Sequence, residues 1–180
     1  MSARTIDLEA VVDEDRAARL RLLYAVHVPR VGRLAYLLTG DAALAEDLAQ
    51  ESFVGLLARL RFIRDEEAVG AYLRRAVVNL VRKHWRKQGT ERSYLRREGP
   101  GTVGRTTVLP DLAARDEMWQ ALGKLTYRQR AAIVLRFYED LSEGETAQVL
   151  GCAVGTVKSS VARGLRRMRE ELIRDEDVRT

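Results

Sequence analysis

The amino-acid sequence predicts an all-α protein built as two small helical domains joined by a flexible linker. Three observations lead there. Apolar residues recur at helical spacing along most of the chain, and the alternating pattern of a half-buried strand is absent. Only three prolines occur in 180 residues, so long stretches lack an obligate helix breaker. The clear exception is GTERSYLRREGPGTVGRTTVLPD, residues 89–111, where glycines and two prolines collect. Such a composition resists regular structure and predicts a tether between two packed units.

The first helical segment is LRLLYAVHVPRVGRLAYLLTG, residues 20–40, which is mostly apolar and stops at Gly40. It predicts a core helix interrupted near Pro29, because proline removes a backbone donor and clashes with the preceding turn. His27 within it has no second metal-type side chain at helical spacing and is expected at the edge of the core.

DAALAEDLAQESFVGLLARL, residues 41–60, follows. Its periodicity buries Ala45, Leu48, Ala49, Phe53, Leu56 and Leu60, and leaves Asp47, Gln50, Glu51 and Val54 opposite. From Asp41 to Ala58 there are four acids and no base, inside a basic protein. That face is either simply solvated or a docking site for a basic protein partner.

The third segment, AYLRRAVVNLVRKHWRKQ, residues 71–88, buries Leu73, Ala76, Val77 and Leu80. Arg75, Val78, Asn79, Arg82, Trp85 and Arg86 fall on the far side. Residues 74–97 carry nine Lys and Arg against Glu91 alone, a local net of +8. Arginines hold phosphates and an exposed tryptophan can stack on bases, a combination suited to strand-separated DNA. The alternative for Trp85 is a place in the core.

Beyond the tether, Ser142 and Glu145 form an S-x-x-E capping box that starts a helix near residue 143. Gly151 sits where a helix end needs positive φ, and a further helix begins near Val154 to Thr156. Its periodicity sets Val157, Val161, Leu165, Met168 and Leu172 on one face. Thr156, Ser159, Ser160, Arg163, Arg166 and Arg167 lie on the other. One face packs and the other is small, polar and cationic. Two helices joined in this way match a helix-turn-helix, whose second helix enters the major groove. A basic face on an ordinary helical hairpin is the plainer alternative.

Composition bounds these readings. Lys and Arg total 31 against 26 Asp and Glu, a net charge of +5, and the isoelectric point is about 9.6, which favours a polyanionic partner. The single cysteine, Cys152, excludes an internal disulfide and is expected as a small buried thiol in the turn. The acidic N-terminus MSARTIDLEAVVDEDR lacks the basic-then-apolar start of a signal peptide, and no apolar run approaches the roughly 18 residues that span a bilayer. A soluble, cytoplasmic protein without membrane insertion is expected. Catalytic chemistry has no foothold. The two histidines, His27 and His84, stand in unrelated contexts, no Walker loop or Cys/His metal set occurs, and Asp65, Glu66 and Glu67 have no partner base nearby. Neither an enzyme activity nor a cofactor is expected.

The order of these features resembles the extracytoplasmic-function group of bacterial sigma factors over residues 20–172. The resemblance rests most on AEDLAQESF, on YLRRAVVNLVRKHWR and on YEDLS paired with VGTVKS. YLLTGDAALAEDLAQ together with HWRK is similar to the actinobacterial branch. The resemblance implies a subunit that gives RNA polymerase its promoter specificity. Residues 17–88 would form sigma region 2, residues 89–111 the linker, and residues 112–174 the region 4 helix-turn-helix. It assigns Asp47, Gln50, Glu51 and Phe53 to the clamp coiled coil of the largest polymerase subunit. Phe62, Tyr72, Arg75, Asn79, Arg82, Lys83, Trp85 and Arg86 would read and melt the minus-ten element. Thr156, Lys158, Ser159, Ser160, Arg163, Arg166 and Arg167 would read the minus-thirty-five duplex. Core polymerase with its clamp and flap, promoter DNA and an anti-sigma factor are the implied partners. Two other readings stay open: a helix-turn-helix regulator, which would explain only residues 120–172, and an inactive sigma-like adaptor.

Overall fold

The computed structural model describes residues 8–63, 65–94 and 121–179, and among them every regular element is helical. In chain order these are α1 (Leu8–Thr39), α2 (Ala42–Arg59), a 3-10 turn (Leu60–Phe62), α3 (Glu66–Tyr94), α4 (Tyr127–Ile133) widening into a π-helical turn (Val134–Tyr138), α5 (Glu143–Leu150) and α6 (Val154–Arg179).

α1 runs through Pro29 without the expected interruption. The carbonyl that proline leaves unpaired belongs to Ala25, and Ala25 and Pro29 both face solvent, where water can take the lost partner's place. Leu23 before the proline and Val31, Leu34, Ala35 and Leu38 after it are buried and hold the helix in the core on both sides of Pro29. The chain then turns at Gly40, with φ of 82°. Asp41 caps α2 by accepting from the Leu44 N–H at 3.0 Å.

α2 buries the stripe its sequence predicts: Ala45, Leu48, Ala49, Phe53 and Leu56, followed by Leu60. α3 buries Leu73 and Val77 and half-buries Ala76 and Leu80. Val78, expected on the far side, is 1% exposed, and Val81 is buried as well. The correction has a tertiary cause: the second half of the chain packs on that side of α3. α3 also continues to Tyr94, past Gln88, where the tether was expected to begin. The rest of that segment, residues 95–111, lies outside the described residues.

In the second half, Thr126 with Gln129 and Ser142 with Glu145 each close a capping box, so α4 and α5 start where their sequences dictate. Gly151 ends α5 with φ of 64°. α6 crosses α4 so closely that a Cβ on Gly164 would stand 2.6 Å from Ile133 Cδ1 and 3.3 Å from Gln129 Cβ, so any side chain there would have to push the end of Ile133 aside. Cys152 is half-buried.

The two halves share one apolar core. Leu122, Leu125, Ala131, Ile133, Val134, Leu135, Leu141 and Met168 join the residues of α1, α2 and α3 in one continuous cluster. Polar groups stitch the same seam. Tyr127 Oη donates to the Val78 carbonyl at 3.1 Å, and Arg82 Nη1 donates to the Leu150 carbonyl at 3.3 Å.

Candidate nucleic-acid interfaces

The acidic face of α2 stands clear of the core. Asp47, Gln50 and Glu51 are exposed and Val54 is 68% exposed, a combination of carboxylates around an apolar spot. Phe53, grouped with them at first, points the other way. It is 5% exposed and its ring lies 4.8 Å from that of Tyr24. It shapes the helix from beneath and offers no surface to a partner.

The second surface comprises the turn after α2 and the outer side of α3. Phe62 is 70% exposed on the 3-10 turn. Tyr72 is half-buried, with the Arg59 guanidinium 5.8 Å above its ring, and its hydroxyl fills the space that a side chain on residue 55 would need. Arg75, Lys83 and Arg86 are exposed. Asn79 is half-buried and accepts from Arg82 Nη2 at 2.9 Å. Trp85 departs from its expected place. It is half-buried against the core, its indole Nε1 is buried without a hydrogen-bond partner, and its ring stands edge-on to His84 at 5.8 Å.

The third surface is α6. Lys158, Ser159, Arg163, Arg166 and Arg167 are exposed and Thr156 is half-buried. Ser160 is 6% exposed and is corrected from contact residue to packing residue. On the opposite side Val157 and Met168 are buried and Val161 half-buried, while Leu165 is 41% exposed; the place nearest α4 is taken by Gly164. Two of the cations are held. Lys158 Nζ lies 3.4 Å from Glu143 on α5, and Arg163 donates from Nε and Nη2 to the carbonyl and hydroxyl of Ser159.

Sequence reasoning missed the residues that bind the halves to each other. Glu139, in the turn after α4, has a side chain only 2% exposed. Its carboxylate accepts from Arg30 Nε and Nη2 at 3.3 and 3.0 Å and from Arg74 Nε at 2.7 Å. An acid following the apolar run AAIVLRFY was the available signal, but nothing local says which arginines it meets. The group borders an open cleft of about 710 Å³, lined also by His27, Asp65, Glu66 and Glu145. Burial pushes the Tyr127 hydroxyl up to about 12, against the opposing pull of Arg82. Burial likewise lowers the pKa of Arg130. The Ser142 hydrogen bonds hold the Glu145 carboxyl below its ordinary value.

Comparison with known proteins shows which family the chain resembles. Residues 23–91 match the family model described as sigma-70 region 2, and residues 115–168 that described as sigma-70, region 4. The chain is 36% identical to the RNA polymerase sigma-E factor of Streptomyces coelicolor, over 82% of each chain. It is 32% identical to the ECF RNA polymerase sigma factor SigL of Mycobacterium tuberculosis, over 85% of this chain and 88% of that protein. Its fold superposes on the sigma factor RpoE of Bartonella quintana, co-crystallised with the anti-sigma factor NepR. The TM-score is 0.70 at 26% identity, covering 84% of this chain and 95% of the other.

Proposed function

The chain belongs to the extracytoplasmic-function group of the sigma-70 family, and from that premise we propose how its surfaces divide the work of starting transcription. It is an alternative RNA polymerase sigma factor. Residues 17–88 serve as the core-binding and minus-ten unit, whose last helix runs on to Tyr94, the rest of residues 89–111 as the linker, and residues 112–174 as the minus-thirty-five unit.

The observation that carries the division is the sorting of charge by helix. One chain exposes Asp47, Gln50 and Glu51 on α2, and arginines and lysines on α3 and α6. The acidic face meets the basic clamp coiled coil of the polymerase's largest subunit, where opposite charge guides and fixes docking. Arg75, Asn79, Lys83 and Arg86 hold the phosphates of the melted minus-ten strand, with Phe62 and Tyr72 at the rim where a base is captured. α6 enters the major groove of the minus-thirty-five duplex, with Lys158 and Arg163 nearest the bases and Arg166 and Arg167 nearer the phosphates. The catalytic chemistry belongs to the polymerase, and the chain contributes recognition and strand capture in the cytoplasm. The likeness to RpoE, crystallised with NepR, supports regulation of this chain by an anti-sigma factor.

Run-off transcription with core polymerase over a fragmented genome tests the reading. Discrete promoter-dependent transcripts are the expected result. Binding to core polymerase without any transcript would favour an inactive adaptor, and failure to bind core polymerase would favour a plain helix-turn-helix regulator.

A further inference from the structure

α2 carries one glycine in its interior, Gly55, where alanine would favour the helix more. The reason lies across the helix pair. A Cβ on Gly55 would stand 2.9 Å from Tyr72 Oη of α3, nearer than side chains approach one another, so the glycine leaves a notch in which the tyrosine hydroxyl is seated. One turn further along, the Arg59 guanidinium lies 5.8 Å from the centre of the same ring. Residues 55 and 59 stand four positions apart in one file of α2, so Gly55 receives the tip of Tyr72 and Arg59 covers its face. Glu51 precedes them in that file, and the exposed Phe62 follows on the 3-10 turn. On α3, Tyr72 leads Arg75 and Asn79 at helical spacing. The seated ring thus marks the boundary between the acidic face of α2 and the basic side of α3. Simple packing would place a buried apolar group in such a notch, whereas the group admitted here is a half-buried phenol beside an exposed cation.

We propose that Gly55 and Arg59 are positioning residues for strand capture: the notch sets how far the Tyr72 ring stands out of the surface, the guanidinium fixes its tilt, and a base extruded from the minus-ten strand meets a ring held in advance. This rests on the reading of α3 as the minus-ten surface. An extruded base is read by the shape of its pocket and by the rings beside it, and a ring already fixed loses little freedom when the base arrives. A phenol is rigid beyond its second torsion, so a methyl at position 55 turns the whole ring about its staggered side-chain torsions and away from Arg59. The space left for the base then changes shape. Arg59 also brings a positive charge to the last turn of an otherwise acidic helix, where it faces the phosphates of the captured strand.

The test uses the full chain in holoenzyme on a promoter taken from its run-off transcripts. It measures the rate of promoter opening, and transcript output from a library of that promoter randomised over the minus-ten element. Gly55→Ala is expected to slow opening about tenfold, within the range of a lost base stack, and to shift the preferred base at one minus-ten position, while core polymerase binds it as it binds the parent. Tyr72→Phe takes away the oxygen that the new methyl would meet. The double variant is therefore expected to open promoters at the rate of Tyr72→Phe alone and to share its base preference. An unchanged preference in folded Gly55→Ala overturns the proposal whatever its stability, because a glycine needed only for packing alters the thermal midpoint and not the base that is read. A double variant that keeps the Gly55→Ala preference overturns it too, as does loss of core binding, which would place Gly55 in the docking face. Arg59→Ala adds no atoms and covers the case in which Gly55→Ala does not fold. It is expected to slow opening about two- to fivefold, and a parental rate in that variant overturns the proposal. Phe62→Ala and Arg75→Ala check the minus-ten reading separately. Parental opening by both removes that reading and the proposal with it, whereas a defect in them beside an unchanged Gly55→Ala preference removes the positioning role alone.

Discussion

Arg130 on α4 donates from Nη1 to the carbonyl of Leu38, 3.2 Å away in the last turn of α1. The same guanidinium donates from Nε to Leu122 and from Nη2 to Gly123, at 2.9 and 3.2 Å. One buried fork thus satisfies carbonyls that helix ends leave without partners, and it does so across the seam between the two halves.

Arg130→Lys keeps the charge but cannot reproduce a three-carbonyl fork. Hydrogen bonds to charged groups contribute about 1.5–3 kcal/mol each, and a buried orphan carbonyl costs about 1–3 kcal/mol. The expected loss of stability is about 2–4 kcal/mol, measured by urea unfolding. A loss no larger than that of an exposed control, Arg128→Lys, would mean that the fork contributes little.

Asp47→Arg combined with Glu51→Arg is expected to abolish binding to core polymerase while leaving the thermal midpoint nearly unchanged. Both side chains are exposed, so the reversal opposes a basic partner without opening a cavity. Phe53→Ala should behave differently and lower stability, because its ring is buried against Tyr24. Co-purification of the doubly reversed variant with core enzyme would reject the docking face.

Trp85→Ala is expected to destabilise the fold by about 2–3 kcal/mol, somewhat below the loss of about 3–5 kcal/mol at a fully buried site, because the indole is only half-buried against the core. Differential scanning calorimetry reads this directly. A variant with parental stability and a defect confined to promoter opening would return Trp85 to the stacking role that its sequence position first suggested.

On α6 the cations should fail in two ways. Lys158→Ala or Arg163→Ala should change which minus-thirty-five sequences are used, at roughly 1–3 kcal/mol for a lost base contact, while Arg167→Ala should lower output from all of them and reduce the salt slope by about one. Ser160→Ala should leave the preference untouched, since Ser160 is buried. Transcription from a randomised minus-thirty-five library separates these outcomes. An altered preference in the Ser160 variant would show that α6 is placed differently in the groove.

The local order of this protein is legible in its sequence. The stripe from Ala45 to Leu60, the capping box of Ser142 and Glu145, the stop at Gly151 and the exposed acids of α2 all follow from periodicity and backbone hydrogen-bond needs that residues a few positions apart decide. The motifs AEDLAQESF and VGTVKS carried the family in the same local way. What the tertiary structure alone decided is which side of a helix a second unit covers. Val78, Trp85 and Ser160 sit at positions that helical spacing assigns to the outside, and packing turns each of them wholly or partly inward. Glu139 meets Arg74 across 65 positions and Arg30 across 109. Helical periodicity ranks positions around one axis, whereas a contact between distant segments depends on how two axes cross, and no repeat in the chain encodes that.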